Sequence, residues 1–99
     1  PKNATVIATI AVGGSLELGV SDGRGLLFVN VEDKNDVAVI DTRTNKLVRR
    51  FALAGCDGPT GIAYAPEAKR LGSACANGRA VVSEPSGKRR ARRATGPRR

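Results

Sequence analysis

Cys56 and Cys75 are the only thiols of the chain, and there is no histidine to join them. Three chemistries are open to such a pair. Oxidised, the two would close a loop worth about 3 kcal/mol on the chain-entropy account, in a compartment that keeps disulfides intact. Reduced, they would fill small buried spaces, as free cysteine commonly does. As metal ligands, two thiolates supply only half of a tetrahedral zinc shell.

Oxygen-bearing residues form the second group. Asn30, Glu32, Asp33, Asn35 and Asp36 cluster ahead of an apolar run, and Asp57, Thr60 and Asn77 follow later. On loops at one end of a rigid scaffold they could contact a ligand or a hard cation such as calcium, although their spacing matches no EF-hand. Hydrated turn formers would have the same composition. Asp41 precedes Thr42-Arg43-Thr44-Asn45 and reads as a turn cap rather than a catalytic carboxylate.

Other chemistries are excluded by residue type. Without histidine there is neither a Ser/His/Asp triad nor a Cys/His couple within the chain. Glycines at 13, 14, 19, 23 and 25 fit neither a P-loop nor a GxGxxG turn opening a helix, and turn chemistry accounts for them. No metal or cofactor is expected from this inventory.

The formal charge of +8 belongs to one segment. Residues 88–99 contain Lys88, Arg89, Arg90, Arg92, Arg93, Arg98 and Arg99 and no acidic residue, leaving ten basic and nine acidic residues over 1–87. Arg89, Arg90, Arg92 and Arg93 could contact a polyanion such as a nucleic-acid backbone without specificity. No aromatic residue interleaves with them, so base stacking is missing. A basic disordered tail over 88–99 with weak polyanion affinity is the plain expectation.

These residues must be positioned by strands. Apolar runs rich in Val, Ile, Leu and Phe alternate with turn formers, predicting strands near 5–11, 16–20, 26–31, 36–41, 46–53, 60–65, 70–75 and 79–84, with no helix. Asn77-Gly78 is the clearest hairpin turn. If 60–65 and 70–75 are adjacent antiparallel strands, Cys75 ends where the loop bearing Cys56 begins. Leu26-Leu27-Phe28-Val29 and Val37-Ala38-Val39-Ile40 are apolar without alternation, so both faces of these strands need cover. The core draws on only three aromatic residues, Phe28, Phe51 and Tyr64.

The pattern repeats. Val6 to Val12 resembles Leu47 to Leu53, and each is followed by a glycine-containing loop and another apolar segment. A period of about 40 to 50 residues marks a propeller or solenoid. No apolar run reaches the ~20 residues of a membrane helix, so no membrane partner is expected. The chain opens without a signal-peptide pattern and contains no methionine, so it reads as soluble with any export signal already removed.

The run Leu26 to Val48, LLFVNVEDKNDVAVIDTRTNKLV, resembles the YVTN-type β-propeller repeat, and LAGCDGPTGIAY and KRLGSACANG resemble the next repeat of YncE-like bacterial members. The resemblance covers residues 5–87. It implies an all-β propeller fragment: the outer strand of a preceding blade at 5–11, a complete four-stranded antiparallel blade at 16–53 and an incomplete blade at 60–84. It departs from the family after Lys88, where RRARRATGPRR replaces an apolar outer strand, and in having about two repeats rather than a closed ring.

A non-catalytic binding module of an exported, periplasmic or secreted bacterial protein follows from that resemblance, with Asn30, Glu32, Asp33, Asn35, Asp57, Thr60 and Asn77 as contact residues for a protein or small ligand. Further blades would be its partners, and open strand edges would favour self-association. The alternatives are part of a lactonase-like or quinoprotein-like propeller enzyme, and nucleic-acid binding by the tail.

Overall fold

The computed structural model describes residues 6–86 and the backbone of 89 and 90. Two antiparallel sheets account for its regular structure. The first contains β1 (Leu16–Ser21), β2 (Leu26–Val31), β3 (Asp36–Asp41) and β4 (Lys46–Ala52) in the order β1-β2-β3-β4. The second contains β5 (Pro59–Ala65), β6 (Arg70–Cys75), β7 (Ala80–Ser83) and a two-residue β8 (Arg89–Arg90), again in sequence order. The protein is all-β, and each sheet is a meander of hairpins.

Turn chemistry sets the hairpins. Asp22 Oδ1 accepts the N–H groups of Arg24 and Leu26 at 2.7 and 3.1 Å, and Gly23 follows at φ +75°. Asp41 Oδ1 accepts the Arg43 N–H at 2.8 Å, so this carboxylate closes a turn, as its position suggests. Gly78, at φ +83°, donates its N–H to Cys75 O at 3.1 Å in the Asn77-Gly78 turn. Between β2 and β3 the chain makes one short 3-10 turn, Glu32–Lys34, ended by Asn35 in the left-handed region at φ 55°.

The apolar middle strands pair with each other, from Leu26↔Asp41 to Val31↔Asp36. Their alternate residues point to opposite faces, and both faces are covered. Phe28, Val37 and Val39 meet Leu71, Cys75 and Val81 of the second sheet, with Leu53 and Cys56 between them. Val29, Val31, Ala38 and Ile40 form the other face, covered by Val12 and Ile10. The N-terminal segment supplies this second cover.

Two expectations are corrected. Residues 6–11 form no strand, because among the described residues no strand lies beside them to pair with; the segment instead lays Ile10 and Val12 on the back of the first sheet. The basic segment does not begin outside the sheet either, since Arg90 and Arg89 pair with Val82 and Ser83 of β7. Backbone pairing does not depend on side-chain polarity at an open edge, so two arginines can extend the ladder. Arg92, Arg93 and the remainder of the expected tail lie outside the described residues.

The two sheets are equivalent by register. Val29 pairs with Ala38 as Ser73 pairs with Val81, so Leu27, Val29 and Val31 correspond to Leu71, Ser73 and Cys75. The face by which the second sheet packs on the first therefore repeats as the face of the first sheet that Ile10 and Val12 cover.

Candidate functional site

The β2–β3 turn, the loop 53–58 and the β6–β7 turn gather at one end of the two sheets. Asn35 is their junction. Its Oδ1 accepts the Gly58 N–H at 2.9 Å and its carbonyl accepts the Leu53 N–H at 2.9 Å. A left-handed residue whose side chain also bonds locally suits Asn. Ala76 N–H reaches the carbonyls of Asp57 and Gly58 at 2.9 and 3.0 Å, and Asn77 Nδ2 donates to Gly55 O at 3.2 Å. Glu32 lies beside Gly58. These bonds tie the loops of the first sheet to those of the second.

Cys56 and Cys75 form a disulfide across this end, with Cα atoms 5.4 Å apart. Both are buried. Of the three chemistries open to the pair, the structure shows the first: β6 returns beside β5, bringing Cys75 level with Pro59 and next to the loop that contains Cys56.

Asp33 Oδ1 accepts the Ser15 N–H at 2.8 Å, and the Glu32 N–H is donated to Ser15 O at 2.8 Å, so the β2–β3 turn also fixes the approach to β1. Asp36 pairs with Arg50 at 3.2 Å, and the Arg50 guanidinium also donates to Val12 O. This partly exposed ion pair holds the N-terminal segment against the sheet, and an exposed pair of this kind contributes about 0–1 kcal/mol. Arg50 was not among the expected site residues, and its partners at positions 12 and 36 carry no local sequence signal.

Asn30 is not a loop residue, contrary to its expected place among the ligand contacts. It belongs to β2, is 0% exposed and points between the sheets. Its Nδ2 donates to Gly61 O at 2.8 Å, and its Oδ1 accepts from the buried Ser73 hydroxyl at 3.2 Å. Burying an amide is costly unless its groups are paired, and here both ends are satisfied by the opposite sheet. Asn30 locks sheet against sheet and cannot touch a ligand. Asn30→Ala is expected to destabilise by about 1–3 kcal/mol, since Gly61 O and Ser73 lose their partner in the interior. A denaturant titration measures this, and a loss well under 1 kcal/mol would show that the amide does not join the sheets.

Thr60 is also drawn into a strand. It is half-buried in β5, with a long 3.5 Å bond to Ala74 O. Asp33, Asn35, Asp57 and Asn77 are exposed and Glu32 is half-buried at the loop end. Among the described residues no group of three or more Cys, Asp or Glu side chains is arranged to hold a metal ion. The residues brought together offer carboxylates, carboxamides and backbone groups on a braced rim, an arrangement suited to hydrogen-bonded recognition. No protein-family model matches this chain, and no curated protein matches it either.

Proposed function

We propose that the chain is a non-catalytic binding module built from β-propeller blades of the YVTN-repeat kind, part of an exported bacterial protein, and that its loop rim contacts a protein or small ligand. One observation carries this reading: two register-equivalent meanders stack face to face, with the loops of both emerging together and cross-braced at one end. A rigid scaffold that presents short polar loops is where binding residues concentrate. Four of the carboxylates are already engaged in holding structure, Asp22 on Arg24 and Leu26, Asp33 on Ser15, Asp36 on Arg50 and Asp41 on Arg43. Glu32 and Asp57 are left as the principal contact residues, beside the exposed Asn77, whose Nδ2 also braces Gly55 O. The disulfide supports an oxidising compartment.

Amide chemical shifts followed during separate additions of a pool of short peptides and a panel of small polar metabolites test the proposal. Perturbations should be confined to Glu32–Asn35, Gly55–Gly58 and Ala76–Gly78, and should vanish in the triple variant Glu32→Ala, Asp57→Ala, Asn77→Ala. Shifts centred elsewhere, shifts that survive in the triple variant, or turnover of an added metabolite would each contradict it.

A further inference from the structure

We infer that residues 6–11 of one copy of this chain add as a strand to the β7 edge of a second copy, joining the molecules head to tail. The described outer strands of the two sheets are unequal. In the first sheet β3 is covered by the seven-residue β4, whereas among the described residues β7 has the two of β8 beside it. A β-edge with unpaired backbone groups is a template for another strand.

The chain contains a second copy of the element that covers β3. Val6 to Val12 repeats the pattern of Leu47 to Leu53, which is β4 and the residue after it. The resemblance extends to three dimensions. Phe51 and Leu53 pack in the core between the two sheets, and their counterparts Ile10 and Val12 pack on the register-equivalent core behind the first sheet. The N-terminal segment thus lies where the outer strand of a preceding sheet would lie, and the described residues contain no such sheet. Val6 and Ile7 are 80% and 83% exposed, the two highest values among the exposed large hydrophobic residues.

A second copy supplies such a sheet. When its β7 meets the segment in the register of β3 with β4, Ile10 opposes Ala80, Thr9 opposes Val81, Ala8 opposes Val82 and Val6 opposes Ser83, from the pairs Val37↔Phe51, Ala38↔Arg50, Val39↔Arg49 and Ile40↔Leu47. The added strand takes the place of Arg89–Arg90. No part of the donor's fold is displaced, since Ile10 and Val12 keep their own contacts. Because the donated segment and the receiving edge are different surfaces, the contact is heterologous and builds rings or open chains rather than a two-fold dimer.

Sedimentation of the full chain across a concentration series should show reversible association. The double variant Ala8→Pro, Thr9→Pro should weaken that association by roughly 100-fold, because N–H groups alternate along a strand and one of two adjacent prolines must remove a ladder donor. Both positions are exposed and outside any strand, so the melting of the dilute monomer should not change. A second measurement fixes the geometry: Ala8→Cys protein mixed with Val82→Cys protein should form a crosslinked pair on mild oxidation, in preference to either variant alone. A chain that stays monomeric, association unaffected by the prolines, or homodimers crosslinking as fast as the mixture would each overturn the inference. The exposed edge of β1, with Leu16 and Leu18, is the surface to which the second and third results would point.

Discussion

Phe28→Ala should cost about 3–5 kcal/mol, the range for removing a buried aromatic ring, and so consume much of the ~5–15 kcal/mol that holds a domain folded. Phe28 is fully buried at the centre of the core that joins the sheets. Its ring stacks on Tyr64 with centroids 6.1 Å apart and planes 20° from parallel, and Val37 and Val39 share the cluster. Small aliphatic neighbours cannot collapse into so large a void without losing their own contacts, and no other fully buried residue is aromatic. Urea unfolding with a common slope should place the variant's midpoint far below that of the parent. Phe51→Ala should cost less, since Phe51 is only partly buried. A larger loss at Phe51 than at Phe28 would mean that the sheets are not joined where described.

Removing the disulfide should have the next largest effect. Cys56→Ser with Cys75→Ser opens a loop of sequence separation 19, for which the chain-entropy relation gives about 3 kcal/mol. In a chain of this size that lowers the melting temperature by about 10–20 °C. The crosslink ties the loop 53–58 to the end of β6, and that loop also donates to Asn35 and accepts from Ala76 and Asn77, so the variant's rim amides should exchange faster than those of β2 and β3. Calorimetry of the parent in a dithiol reductant should show the same shift. An unchanged melting temperature in both experiments would mean that the bond does not constrain the unfolded chain.

What could be read from the residues follows from how far each signal reaches along the chain. The strands were legible because apolar runs and turn formers sit side by side: the β2, β3 and β6 boundaries fall at 26–31, 36–41 and 70–75 as expected. The need for cover on both faces of Val37-Ala38-Val39-Ile40 was legible for the same reason. Asn30 was misread because a polar residue near the end of an apolar run resembles the start of a loop. Its partners, Gly61 and Ser73, lie 31 and 43 positions away, and only the stacking of the sheets brings them to it. Ser73 had a signal of its own, since it alternates with the buried Leu71 and Cys75 along β6.

The N-terminal run shares the sequence pattern of Leu47 to Leu53, yet it forms no strand. Strand formation requires a neighbour, and sequence pattern alone does not say whether one is present. The same limit applied to Arg89–Arg90, whose backbone pairs with Ser83 and Val82 at the edge of β7. Of the rim, Glu32, Asp33, Asn35, Asp57 and Asn77 were legible as turn residues of one end, whereas the bonds that brace them became visible only when the two sheets were stacked.

The account rests on two equivalent sheets held face to face through Phe28 and Asn30. With three aromatic residues in the chain, a nuclear Overhauser spectrum tests this with little ambiguity. Cross-peaks between the rings of Phe28 and Tyr64, together with slowly exchanging Asn30 side-chain amide protons close to Gly61, are the expected result. A Phe28 ring without contact to Tyr64, alongside a rapidly exchanging Asn30 amide, would contradict the stacking and with it the loop rim that the stacking assembles.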